Sequence, residues 1–170
     1  FTPTTDADKP TQPFPRKLSQ TGLFASVAEH RPVESALPFD VASPQWADGA
    51  TMERFAGITG LEKILRKPQL NAGGDWTLPN GSVLVQTLSL NLAGDDGKPP
   101  RRTRIETRLL TRQQGEWVGY SYRWNRDQTD AELVDSKGTA DAFEVPDSSA
   151  ADGRREQIWR FPSRAECMSC

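Results

Sequence analysis

In the second half of the chain, apolar and polar residues alternate. Within Val83-Leu84-Val85-Gln86-Thr87-Leu88-Ser89-Leu90-Asn91-Leu92, a period of two puts Leu84, Leu88, Leu90 and Leu92 on one face and Val83, Val85, Thr87, Ser89 and Asn91 on the other. That is the signature of a strand. Pro79-Asn80-Gly81-Ser82 is the turn that enters it, and the Gly-, Asp- and Pro-rich residues 94–100 form a loop after it. A second strand is expected over 102–112, where Ile105, Thr107, Leu109 and Thr111 oppose Arg104, Glu106, Arg108 and Arg112. Gln113-Gln114-Gly115 then turns the chain into an aromatic-rich strand over 116–125, and two shorter strands follow at 142–145 and 157–161. Strands of this length separated by turns predict a mainly β fold, a β-sandwich or jelly-roll-like antiparallel domain.

The first half carries no sustained period. One short helix is expected at 23–28 and a helical turn at 62–66, with 43–50 an ordered loop around a buried Trp46. Residues 1–15 hold four Pro and four Thr without an apolar stretch, and so read as a disordered linker rather than a signal peptide. The division is therefore a linker at 1–15, a β-sandwich at 16–162 and a terminal cysteine segment at 163–170.

Composition narrows the function classes. A chain of 170 residues suits one domain with its own core. No apolar run approaches the length of a membrane span, and a net charge of −2 offers no general attraction to nucleic acid. The basic run from Arg101 to Arg108 would be the place for nucleic acid. On a strand, however, Arg104, Arg108 and Arg112 share a face with Glu106, which reads as a solvated, salt-bridged surface.

Candidate chemistry is sparse. His30 is the only histidine, lies in a Pro-flanked segment and has no nucleophile motif beside it. A closed zinc site would need two further soft ligands besides the two cysteines, and one His is too few. The acidic stretch 127–135 lacks the spacing and turn glycine of a calcium loop, and reads as a solvated turn. Asn80-Gly81-Ser82 matches a glycosylation acceptor, but the turn accounts for it. Residues 94–98 have no Ser or Thr after the Lys and do not make a phosphate loop. On the aromatic strand, Tyr120, Tyr122 and Trp124 alternate onto one face and Trp117 onto the other. Core packing is the ordinary use of such a row; an open shelf that stacks on sugar rings is the alternative.

Cys167 and Cys170, the only two cysteines, form a Cys-x-x-Cys pair. This spacing serves a redox disulfide, half of a zinc site, or the two thioether bonds of covalent haem attachment, which also requires a His after the second Cys. A thioredoxin-type site would need a helix after the pair, and no residues remain for it.

Six segments in order bear on that choice: 16–24, 43–50, 78–85, 105–109, 119–125 and Phe161-Pro162-Ser163-Arg164-Ala165-Glu166-Cys167. Together they resemble the β-rich region in front of the haem site in a family of bacterial c-type cytochromes, diheme members and forms joined to quinoprotein sugar dehydrogenase modules included. The resemblance spans residues 16 to 170. It implies that Cys167 and Cys170 are haem-attaching thiols, with haem c completed in a longer protein by a His beyond Cys170. It further implies an exported protein of the periplasm or cell envelope, with a haem domain of the same chain and a quinoprotein dehydrogenase as partners. The segment itself would be an accessory domain, while its parent protein would be an oxidoreductase.

Overall fold

A computed structural model describes residues 13–43, 45–58, 63–69, 72–94 and 98–168. Alternation produces strands where expected. β7 (Val83–Leu92), β8 (Arg101–Gln113) and β9 (Glu116–Trp124) form an antiparallel meander. Its β8–β9 turn has positive φ at both Gln114 (50°) and Gly115 (84°), the backbone that two-residue hairpins favour. The entering turn also forms, with Ser82 N–H donating to the Pro79 carbonyl at 3.1 Å. The meander is extended by β10 (Ala131–Leu133) beside β9, and by β4 (Thr51–Gly57) and β3 (Leu37–Pro38) beyond β7. The sheet order is β10-β9-β8-β7-β4-β3, every neighbour antiparallel.

Both faces of this sheet are covered. On one, a 3-10 turn at Leu18–Thr21 and the strand pair β1 (Phe24–Ser26) and β2 (Arg31–Pro32) close over Val83, Val85, Leu109, Tyr120, Tyr122 and Trp124. On the other, the hairpin of β11 (Thr139–Pro146) and β12 (Arg154–Phe161) packs Val145, Trp159 and Phe161 on Leu88, Leu90 and Ile105. Each such side chain, fully buried, contributes about 1.5–3 kcal/mol of transfer free energy, which makes two separate cores the main source of cohesion. The fold is the mainly β, sandwich-like one that the alternation predicts. A further hairpin, β5 (Leu65–Gln69) with β6 (Ala72–Thr77), stands apart from the sheet's hydrogen bonding.

A bulge in β8 decides which residues face which core. Leu88 pairs with Glu106 and Ser89 with Arg104, so Ile105 is the extra residue and the side-chain alternation inverts there. Arg104 is thereby separated from Arg108 and Arg112, against the single basic face expected from strict alternation. Glu106 is also not on a solvated surface: its side chain is 0% exposed.

Four local expectations are corrected. Residues 23–28 form β1 and a turn rather than a helix, because Phe24 and Val27 are spaced to fill the core over a strand and turn. The expected helical turn at 62–66 includes Glu62 outside the described residues, and its end opens β5 instead. Trp46 is 83% exposed, not buried, in the part of the 43–50 loop that is described. The supposed linker is ordered at its end: Phe14 stacks on Tyr120 with ring centroids 3.4 Å apart, and the Pro15 carbonyl accepts the Tyr122 hydroxyl at 2.8 Å. The rest of the expected linker, residues 1–12, lies outside the described residues.

Candidate functional site

The terminal cysteine segment is seated on the sheet. After β12 the chain enters a single helical turn, α1 (Arg164–Met168). Ser163 and Glu166 start it as a reciprocal cap: Glu166 Oε2 accepts the Ser163 N–H at 2.8 Å, and Ser163 Oγ accepts the Glu166 N–H at 3.2 Å. Those bonds hold the Glu166 carboxyl below its usual range. Arg164 fastens the turn from two sides, its N–H on the Ser136 carbonyl at 2.9 Å and its guanidinium 4.3 Å from the Tyr120 ring centroid. Cys167 then lies against Gly119 of β9, so closely that a methyl group at Gly119 would overlap the Cys167 Cβ. Glycine is what permits this approach. Cys170 lies outside the described residues, so the pairing of the two sulfurs is not addressed by this geometry. Cys167 falls in the last part of the helical turn, unlike a thiol at a helix N-terminus.

The aromatic row is core. Tyr120 and Trp124 are 7% exposed and Tyr122 0%, so the three rings form no shelf on which a sugar could stack. Burial raises the Tyr122 phenol well above its usual pKa, with the neighbouring Tyr120 adding to it. Two of them serve as a floor, Tyr120 beneath Phe14 and Arg164 and Trp124 beneath Arg104.

His30 sits in a constellation that residue spacing did not reveal. It occupies the 27–30 turn with φ of 52° and reaches over the sheet. Its Nε2 is 2.9 Å from Thr87 Oγ1, and its Nδ1 is 3.3 Å from Glu53 Oε2. Thr87 Oγ1 is 2.8 Å from Thr107 Oγ1, which accepts the Trp124 indole N–H at 2.9 Å. Hydroxyl, imidazole and carboxylate are in the order of a catalytic triad, but Thr87 is 0% exposed and its oxygen already spans Thr107 and His30. No reacting carbonyl has access to such a hydroxyl, so the chain of bonds is a strut rather than a nucleophile site. Burial lowers the His30 pKa; Glu53 opposes that shift, and Arg104 and Arg102 reinforce it.

Beyond this strut lies a polar pocket of about 460 Å³ bounded by Arg101, Arg102, Arg104, Ser89, Glu29 and Glu53. A second, mostly apolar cavity of about 360 Å³ opens between Phe14, Leu23, Phe55 and Val85. The acidic stretch 127–135 is used internally: Asp130 accepts from the Ser19 N–H and hydroxyl at 3.1 and 2.7 Å, and Asp135 accepts the Lys137 N–H at 3.0 Å. Among the described residues no group of three or more His, Cys, Asp or Glu is arranged to hold a metal ion, and no helix is long and apolar enough to cross a membrane. Neither a family model, nor a curated protein, nor a solved structure matches this chain.

Proposed function

We propose that this is a non-catalytic β-sandwich domain of an exported c-type cytochrome or quinoprotein dehydrogenase-linked electron-transfer protein. Its task is to hold the Cys167–Cys170 segment in a fixed orientation, so that a haem module and its redox partner meet in a defined geometry. The observation that carries the reading is the seat of Cys167. The residue is anchored by a capped helical turn, by Arg164 on Tyr120 and by the side-chain-free surface of Gly119. A terminal tail with no role in positioning needs none of these contacts.

Haem c fits the residues in part. Cys167 supplies one thiol at a fixed place and Cys170 has the spacing for the other, while His30 is committed to Thr87 and Glu53 inside the sheet. The axial ligand therefore falls to a residue beyond these. When bound, the haem supplies one-electron redox chemistry; what this chain supplies is the rigid base beside it. Covalent attachment outside the cytoplasm accords with a periplasmic or cell-envelope location, and the electron donor in this reading is a quinoprotein dehydrogenase.

The test is the intact mass and absorption spectrum of the full gene product, made in a periplasm with haem-maturation machinery. A haem-sized mass increment and a c-type spectrum are expected, both lost in the double variant Cys167→Ala, Cys170→Ala. A colourless product of unmodified mass overturns the reading.

A further inference from the structure

The apolar cavity under the N-terminal segment is walled from both layers of the sandwich. The sheet contributes Phe55 of β4 and Val83 and Val85 of β7, and the segment above contributes Phe14, Leu23 and Val33. Protein interiors are packed as densely as organic crystals and leave few voids larger than a water molecule. A space of about 360 Å³ between two packed layers is therefore out of the ordinary. Its lining side chains lack dispersion partners on the cavity side. Val83 and Val85 form a buried floor, whereas Phe14, Leu23, Val33 and Phe55 keep part of their surface accessible, so a guest can touch them. Small residues in the upper wall keep the space open: Gly22 and Ala36 line it, and a methyl group at Gly22 would meet no atom within 4 Å.

We propose that this cavity binds a neutral, apolar small molecule, a ring system or a short hydrocarbon chain. The electrostatics of the lining support it. In a chain 26% charged, the described residues around this space include no Asp, Glu, Lys, Arg or His. An ionised group entering it would lose its hydration and meet no counter-charge. Hydroxyls offer little more. Thr21 Oγ1 donates to the Leu18 carbonyl at 2.7 Å and accepts the Leu23 N–H at 3.3 Å, and Thr111 Oγ1 accepts from the Gln113 amide at 2.6 Å. Recognition therefore falls to apolar contact and shape. Apolar cavities smaller than this one stay dry and take up apolar molecules, and this volume lies in the range, from about 300 Å³ upward, of small-molecule sites. The site is on the face of the sheet opposite the β11–β12 hairpin and does not rest on the haem reading.

The test is a fluorescence titration of the 170-residue chain with a matched pair of probes. One is N-phenyl-1-naphthylamine, which is neutral; the other is 1-anilinonaphthalene-8-sulfonate, the same rings carrying a sulfonate. The neutral probe is expected to saturate at one per chain and the sulfonate to bind about tenfold more weakly. Saturating neutral probe also raises the urea midpoint, because only the folded chain offers the cavity. Ala36→Phe puts a ring into the space from its upper wall and weakens the neutral probe by about tenfold or more, with no loss of folding stability. The same change at Ala142, exposed on β11, leaves binding as it was. Absence of saturation, equal affinity for the two probes, or indifference to Ala36→Phe overturns the proposal. A parent chain whose urea midpoint does not move with the neutral probe overturns it whatever the variant does. Binding that appears only when residues 1–12 are deleted overturns it as well, since the occupant is then the chain itself.

Discussion

The two faces of the six-stranded sheet each bury an ionisable side chain, and they do so by opposite means. Under the β11–β12 hairpin, Glu106 is kept where a carboxylate would otherwise be intolerable by four donors. Arg108 reaches both oxygens at 2.9 and 3.0 Å, the Ser121 hydroxyl donates to Oε1 at 2.7 Å and the Trp159 indole N–H to Oε2 at 3.0 Å. Under the N-terminal segment, His30 sits in a network of hydroxyls, and burial shifts it toward the neutral form. One face pairs a charge; the other removes it. The first arrangement uses a bidentate fork within β8, and the same carboxylate is tied to β9 by Ser121 and to the hairpin above by Trp159. The second runs from Trp124 through Thr107 and Thr87 to His30 by bonds between neutral groups, each weaker, and only its last link, to Glu53, meets a carboxylate.

The comparison is broken most severely by removing the cation. Arg108→Met leaves Glu106 buried with two single donors and no counter-charge, a loss of about 3 kcal/mol of stability, toward the low end for such pairs because Arg108 is itself 36% exposed. Urea unfolding reads it as a lower midpoint with an unchanged slope. A loss below about 1 kcal/mol would mean that Ser121 and Trp159 alone satisfy the carboxylate. The matching cut on the other face is Thr107→Val, which keeps shape while taking the acceptor from Trp124 Nε1 and the partner from Thr87. Its expected cost is about 2 kcal/mol, the penalty for stranding buried polar groups. If it proves the costlier of the two, the neutral strut is the stronger fastening and the contrast drawn between the faces is reversed.

Alternation along β7, β8, β9, β11 and β12 was legible because long strands in a layered sheet must repeat every second residue. Yet alternation alone only sorts Leu84, Leu88, Leu90 and Leu92 from Val83, Val85, Thr87 and Ser89, and does not say which side is covered. Both faces of β7 are covered, so Thr87 and Ser89 are buried as well; Thr87 spends its hydroxyl on His30 and Thr107, whereas the buried Ser89 hydroxyl has no partner among the described residues. The basic face failed for a related reason: a bulge is one residue's departure from the period, and nothing in Arg104-Ile105-Glu106 announces it. β1, β2 and β3 are two or three residues long, too short for a period to register. The His30 constellation joins residues 30, 53 and 87 through sheet pairing, which residue spacing does not encode. One local sign was available: Glu106 two residues before Arg108 on a strand puts both on one side, where they meet if that side is covered.

The smallest effect separates the two faces by pH. A histidine whose folded pKa is depressed binds its proton more readily when unfolded, so the unfolded state gains protons first as the pH falls. Stability tied to His30 is thus fully present above its unfolded value of 6.5 and is progressively lost below it. The carboxylates of Asp147 and Glu166 have the opposite origin, hydrogen bonds that depress their pKa values, and their contribution fades only in the more acidic range below their ordinary values of 3.8 and 4.5. Between pH 6.5 and 5 the slope therefore belongs to His30. His30→Asn tolerates the left-handed backbone at this position and removes the titration. Denaturant midpoints measured across that range should slope downward with acid in the parent chain and flatten in the variant. An equal slope in both would place the acid-sensitive group elsewhere and deprive the hydroxyl-lined face of the proton dependence that distinguishes it from the face holding Glu106.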